Sequence, residues 1–502
     1  MTPGAFGQSM GASVGAAPTV PAGIADRIDQ LGESVTDLAE RQQELAALAG
    51  ISEQADLTWS EVFNGYAVVL IAAFLVTLVV TPLMRRLAVA NGVIDRPSDP
   101  RKIHRMPIAY LGGVAVYLGI MAGIIVSYLG VQFDGLVRFH ATTHLVDGHP
   151  ELVPPWIVLG LTTIMLIGLL DDVIGISPRV KIGGQLFAAA ALAYGQIGVN
   201  VAAGLLGPTL GELVGNRELT YTINLPQTLP ILTDLFGTVL ELDIIYWTGT
   251  AVIAFFVLGG CNASNLIDGL DGLCSGLTAI AALGLLAIAI MMVSDPTAAG
   301  RLDSARIVLC LAVLGSCLGF LPHNFNPATI FLGDCGSLLL GFIAVVIILT
   351  LGDTGRTDLV VAGLLIYAVP VIDTVLAIIR RKMAGKSMSE PDSEHLHHML
   401  KRTFGVKGAA LSLYGIAIGF ALIGVLMAAT NARLIYTLAL FFAAFICTYA
   451  MKIARRKQIE EQALSYDRRA VPVPAGQAGK PATRNDPAPE PAPPPEATTA
   501  NA

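Results

Sequence analysis

Eleven apolar runs constrain this chain more than any other feature; they fall near residues 62–84, 110–130, 155–170, 183–203, 245–261, 276–294, 305–322, 337–352, 359–379, 409–429 and 434–451. Each is about long enough to cross the ~30 Å hydrocarbon core of a bilayer as a helix. A backbone in lipid must satisfy its own N–H and C=O groups, so a span is a helix or part of a closed barrel. A barrel strand needs only about 9–11 residues, so runs of this length read as helices. The expected fold is an all-α, polytopic integral membrane protein with about eleven transmembrane helices. Composition agrees: 14% of the 502 residues are charged and 54% are hydrophobic, too little charged surface for several soluble domains.

Charge sets the expected orientation. Alternate ends of the runs collect nineteen Lys and Arg, from Arg85 to Lys457, against six at the opposite ends (Arg138, Arg217, Arg301, Arg306, Arg356 and Arg433). Basic residues stay cytosolic, which puts the N-terminus outside and the C-terminus in the cytosol. The net charge of −7 belongs to the appendages, since residues 1–61 alone hold nine acids and two bases. No basic face dominates, so nucleic acid is not an expected partner.

Three regions follow. Residues 1–61 read as a disordered lead and a short amphipathic helix (Ile28, Leu31, Val35, Leu38) outside the membrane. Residues 62–452 form the multi-span body. Residues 453–502 read as a basic, then Pro/Ala-rich, cytosolic tail. The six cysteines form no CxxC pair and read as buried apolar groups.

The chemistry-bearing residues gather at the basic ends. Asp171 and Asp172 close the third run, and adjacent carboxylates at a hydrocarbon boundary call for a compensating cation. Asn262, Asn265, Asp268 and Asp271 recur every three residues, which puts them on one helical face. Gly333-Asp334-Cys335-Gly336-Ser337 sets one acid at a helix start, where free N–H groups suit a phosphate bound with Mg2+. The loop from Asp95 to Pro107 offers Lys102 and His104 to phosphate groups. His395, His397 and His398 lack a cysteine companion and read as phosphate or sugar contacts rather than a zinc site. No phosphate-binding P-loop is present, which disfavours an ATPase. A transporter would carry its acids at mid-membrane on broken helices, often within inverted repeats. Here they sit at run ends.

Taken together, Arg101-Lys102-x-His104-x-x-Pro107 with Gly112-Gly113, Asp171-Asp172, Asn262-x-x-Asn265-x-x-Asp268-Gly-x-Asp271-Gly, Phe331-Leu-Gly-Asp334-x-Gly-Ser337 and His395-x-His397-His398 resemble the polyprenyl-phosphate N-acetylhexosamine-1-phosphate transferases, specifically the WecA/TagO-like branch. The resemblance covers roughly residues 62–452. It implies transfer of N-acetylglucosamine 1-phosphate from UDP-GlcNAc to undecaprenyl phosphate, with release of UMP, at the cytosolic face of a bacterial inner membrane. The product would initiate a lipid-linked envelope glycan. The spaced His-x-His-His favours UDP-GlcNAc over the phospho-MurNAc-pentapeptide donor of the neighbouring branch, whose histidines tend to be contiguous.

The resemblance also assigns roles. Asp334, helped by Asn265, would hold Mg2+, with Mn2+ as a substitute. Asp171 and Asp172 would serve catalysis and bind the lipid phosphate, with Asp268 and Asp271 also catalytic. Lys102, His104, Asn262, His395, His397 and His398 would contact substrate. Where the family often carries a base before its Phe-Leu-Gly-Asp, this chain has Thr329-Ile330, which makes Arg380 or Arg381 the candidate phosphate cations. A homodimer is compatible with all of this.

Overall fold

A computed structural model describes residues 59–95, 107–133, 135–139, 145–146, 149–150, 152–224, 239–294, 300–383 and 396–430. The expected N-terminal amphipathic helix, the last apolar run (434–451) and the C-terminal tail lie outside them, as do Lys102, His104 and His395. The helices are α1 (Trp59–Ala90), α2 (Gly112–Gln132), α3 (Pro155–Ile174), α4 (Pro178–Tyr194), α5 (Asn200–Leu206), α6 (Ile244–Ile267), α7 (Leu273–Ser294), α8 (Asp303–Asn324), α9 (Gly333–Thr350), α10 (Thr357–Ile366), α11 (Ala368–Met383) and α12 (Leu396–Thr430). Among the described residues, eight helices are long and apolar enough to cross a membrane, and α10 with α11 could form a ninth, bent span. The architecture is the expected all-α, polytopic membrane fold.

Two expected spans take a different form. The run 183–203 starts earlier, at Pro178, where proline suits a first helical position, and ends at Gly195, giving a 17-residue helix. The run 359–379 is broken near Tyr367 into α10 and α11, which meet at 78°. The Ser264 and Tyr367 hydroxyls are hydrogen-bonded at that elbow.

Burial follows from sequence. The α9 sequence is apolar on every side after its first turn, so neighbours must surround it. It packs against α2, α3 and α6. By contrast, α1 exposes Ile71, Leu75, Val79 and Leu83, an outward stripe at four-residue spacing that suits lipid. Small residues let backbones meet: Gly319 of α8 abuts the Phe74 carbonyl of α1, and Gly113 of α2 abuts Gly336 of α9. Five of the cysteines are described, and all five are free and buried, as expected.

One short strand pair matters for the site. β1 (Ile94–Asp95) runs antiparallel to β2 (Ile108–Ala109), and Ala109 also bridges Ile330 in parallel. Phe331 N donates to the Ala109 carbonyl at 2.8 Å, Gly112 N to the Phe331 carbonyl at 3.1 Å and Gly113 N to the Leu332 carbonyl at 2.9 Å. The segment entering α9 is thereby zipped to the start of α2.

At the opposite end of the bundle, the Arg306 guanidinium is fully buried. It donates to Asp303 at 2.7 Å and to the Thr350 carbonyl at 2.7 Å, tying α8 to the last turn of α9. Arg306→Ala leaves the Asp303 carboxylate buried and should cost about 3–5 kcal/mol. Replacing Arg306 with Met and Asp303 with Leu together should recover most of that, as read from thermal unfolding in detergent.

Candidate active site

The acidic residues converge where the ends of α3, α6 and α9 meet. Asp171 and Asp172 are adjacent in the last turn of α3 but point to different partners. Asp172 accepts from the N–H groups of Asp334 at 2.8 Å and Cys335 at 2.9 Å. It therefore caps α9 from outside that helix, supplying the acceptors that a helix N-terminus lacks. The sequence suggested free N–H groups here for a phosphate; in the structure these two are taken by Asp172. Gly333 makes the approach feasible. Its φ is +72°, and a Cβ there would stand 2.5 Å from an Asp172 carboxylate oxygen.

Asp171 accepts from Ile176 N at 2.9 Å and pairs with Lys181. The same Lys181 ammonium reaches Asp334 at 2.5 Å, so one cation bridges the Asp171 and Asp334 carboxylates. Asn265 donates from Nδ2 to Asp334 Oδ1 at 2.8 Å and to Ser337 Oγ at 3.0 Å. The structure therefore brings together Asp171, Asp172, Asn265 and Asp334 from the sequence-derived set and adds Lys181. The sequence reading counted Lys181 only as a cytosolic charge. Its signal was position: it follows the Asp pair by one helical turnaround, at the start of α4.

The asparagine–aspartate series does not stay on one helix. α6 ends at Ile267 and Asp268 is its C-cap residue, so Asn262 and Asn265 are helical while Asp268 and Asp271 lie in the turn before α7. Asn262 donates to Gln185 Oε1 at 3.0 Å and to the Leu258 carbonyl at 2.7 Å. Asp271 accepts from Asn326 Nδ2 at 2.8 Å and Ala328 N at 3.0 Å, which fixes the loop ahead of α9. Asn324 strengthens that link: its amide accepts from Gly272 N and Ser275 Oγ and donates to the Ile330 carbonyl, each at 3.1 Å.

Asp268 lies in the turn, and burial pushes its carboxyl well above the usual range, with the charges of Asp334, Asp172 and Asp271 adding to the rise. Tyr110, just before α2, is a second residue the sequence reading missed. Its phenol is also raised, first by burial and then by the carboxylates of Asp95, Asp172 and Asp334. Its ring stands 6.1 Å from that of Phe331.

The histidine element reaches the same place. His397, in the first turn of α12, is buried against Asp373 of α11, with Nδ1 3.5 Å from Oδ2. A Cβ on Gly269 would stand 2.5 Å from His397 Nε2. Lys401, one turn on, feels the Asp271 carboxylate, although burial holds its own pKa below the usual value. Arg380 and Arg381 lie in the last turn of α11, about two turns beyond Asp373. His398 is within α12, but its side chain is outside the described set.

Among the described residues, no three His, Cys, Asp or Glu form a ready-made metal cage. The oxygens that do converge are those of the Asp171, Asp172 and Asp334 carboxylates, with Asn265 turning its Nδ2 toward Asp334. They suit a hard cation such as Mg2+, which typically takes one or two carboxylates and completes its shell with water and phosphate. Three carboxylates, Asp171, Asp172 and Asp334, meet one described ammonium, Lys181. That excess of negative charge fits an additional cation.

An all-α membrane body thus carries an acidic, lysine-bridged cluster at one end of its helices. Residues 155–352 match the model of glycosyl transferase family 4. The chain is 33% identical to a probable undecaprenyl-phosphate N-acetylglucosaminyl 1-phosphate transferase of Bacillus subtilis, over 70% of this chain and 82% of that protein. It is 33% identical to a decaprenyl-phosphate N-acetylglucosaminephosphotransferase of Mycolicibacterium smegmatis, over 70% of this chain and 80% of that one. A phospho-N-acetylmuramoyl-pentapeptide-transferase of Bacillus cytotoxicus is 29% identical, over 69% of this chain and 95% of its own length. The chain belongs to glycosyl transferase family 4, in its WecA/TagO-like group of polyprenyl-phosphate hexosamine-1-phosphate transferases.

Two outcomes test the site. Lys181→Met should lower turnover by about 10²–10³-fold, the scale of losing a preorganised charge at a reacting phosphate, with Lys181→Arg partly active in the same assay. The raised Asp268 carboxyl keeps its proton in the folded state after the unfolded chain has released it. In the ligand-free protein, stability should therefore fall as pH rises above about 4, the ordinary carboxylate value. Asp268→Asn should flatten that decline when melting is followed from acid to neutral pH.

Proposed function

We propose that this protein transfers N-acetylglucosamine 1-phosphate from UDP-GlcNAc to undecaprenyl phosphate at the cytosolic face of a bacterial inner membrane, releasing UMP. The observation that carries the reading is the Asp171–Lys181–Asp334 bridge beside Asn265, set within the family to which the chain belongs. The relatives' printed names support an N-acetylglucosamine donor and a polyprenyl phosphate acceptor. The basic ends of the apolar runs support the cytosolic orientation.

The residues have separable tasks. Lys181 offsets the charge of Asp171 and Asp334, so that an anionic phosphate can approach a cluster that would otherwise repel it. Asp171 orients the lipid phosphate, whose oxygen attacks the β-phosphorus of the UDP-sugar. No strong base is needed, because a phosphate monoester has a second pKa near 6. Asp172 holds the start of α9 and with it Asp334. Asp334 and Asn265 would hold Mg2+, which when bound neutralises charge on the bridging and leaving oxygens of the diphosphate. Transfers of this kind depend mainly on positioning and electrostatics.

A two-step route through a phospho-aspartyl enzyme is the rival, and it would release UMP in a burst without lipid acceptor. Purified protein with Mg2+, undecaprenyl phosphate and UDP-GlcNAc should release UMP, and a panel with other UDP-sugars, UDP-MurNAc-pentapeptide among them, should give far less. Silence with every UDP-sugar would sink the reading. Asp334→Asn should retain the wild-type fold in detergent and lose metal-dependent turnover by about 10²-fold or more. Unchanged turnover would overturn the metal assignment.

A further inference from the structure

The helix that carries the bridging cation lies at the rim of the bundle. α4 packs against α3 and α6, while Val180, Ile182, Leu186 and Phe187 are exposed along it, as suits contact with lipid. Lipid tails are as apolar as those side chains, so the hydrophobic effect alone does not hold α4 in register. On the side of α3, Gly184 abuts Ile167. On the side of α6 the tie is polar. Gln185 is buried, at 1% exposure, and its Oε1 accepts from Asn262 Nδ2 at 3.0 Å. The same Asn262 nitrogen donates to the Leu258 carbonyl at 2.7 Å. Gln185 Nε2 has no hydrogen-bond partner among the described residues, which makes the buried amide costly. A methionine would fill the space without that cost, so the oxygen is what the amide contributes.

Spacing ties this contact to the acidic cluster. Lys181 precedes Gln185 by four residues on α4, and Asn265 follows Asn262 by three on α6, so each pair shares a helical face. Lys181 reaches Asp334 Oδ2 and Asn265 reaches Oδ1. The contacts close a ring, from Asp334 through Lys181 and Gln185 of α4 to Asn262 and Asn265 of α6 and back to Asp334.

We propose that Gln185 is a positioning residue for Lys181. Its bond to Asn262 fixes where α4 stands along α6, and so where the Lys181 ammonium lies between Asp171 and Asp334. The flexible lysine stem cannot set that place by itself. This rests on the proposed transfer, and it changes the role expected of Asn262 from a substrate contact to one half of a helix clamp.

The test uses full-length protein in detergent. Gln185→Met keeps the volume and removes the acceptor. UMP release should fall by about 10–10²-fold, the scale of a group misplaced by about 1 Å. In the Lys181→Met background the same change should alter turnover by less than about twofold, because no ammonium is left to place. Added to Asn262→Leu, it should cost nothing further. A second readout needs no turnover. A water-soluble carbodiimide joins a carboxylate to an amine that touches it, and mass spectrometry of the digest gives the ratio of Lys181–Asp334 to Lys181–Asp171 amide. That ratio should fall severalfold in Gln185→Met, since Asp171 meets Lys181 across the short α3–α4 turn while Asp334 comes from α9. If Gln185→Met does not fold, Asn262→Leu takes its place in both readouts. An unchanged ratio would overturn the proposal, as would an equal loss of turnover in the Lys181→Met background or additive losses with Asn262→Leu. A wild-type protein inactive with every UDP-sugar would defeat the proposed function instead, and the amide ratio would still decide whether Gln185 places Lys181.

Discussion

The site depends on keeping three carboxylates together at a membrane boundary. They are satisfied by two different means. Asp172 is neutralised by the backbone N–H groups and the positive end of α9. Asp171 and Asp334 share the Lys181 ammonium. Without those two devices, the ends of α3 and α9 would repel each other where water offers little screening. The closeness of α3 to α9, and so the position of everything that α9 carries, follows from resolving that repulsion.

The rest of the bundle serves the same placement. The α9 body is enclosed by α2, α3 and α6, so its first turn has little freedom once the core has packed. The strand-like zipper from Ala109 to Leu332 fixes the approach to that turn from one side. Asn324 and Asp271 fix it from the other. The polar loops at this end are thus tied by both backbone and side-chain hydrogen bonds. The opposite end relies on the buried Arg306–Asp303 pair.

Much of this was legible in the sequence, and the limits were physical. Apolar runs gave the helical class because lipid allows few alternatives. They gave no hint of the 78° elbow between α10 and α11 within 359–379, because hydropathy carries no record of a bend. The paired acids and the asparagine series named Asp171, Asp172 and Asn265, which the fold brings together with Asp334. Sequence spacing could not say that Asp171 and Asp172 face different partners, nor that α6 stops at Ile267 and leaves Asp268 in a turn. Lys181 was hidden because a lysine near a cytosolic end needs no further explanation. Its partner Asp334 lies 153 positions away along the chain.

That distance has a consequence of its own. Lys181 and Asp334 are separated by 153 positions, and Asp172 lies 162 positions from the N–H it caps. No hairpin, half-bundle or pair of neighbouring helices contains the cluster. During biogenesis Asp171 can meet Lys181 as soon as α4 enters, but Asp172 waits for the N–H groups of α9 to cap it. The cluster is closed only by a late segment, so the onset of turnover would report completed insertion of the chain as far as α9, and a truncated or mis-threaded product would be silent rather than partly active.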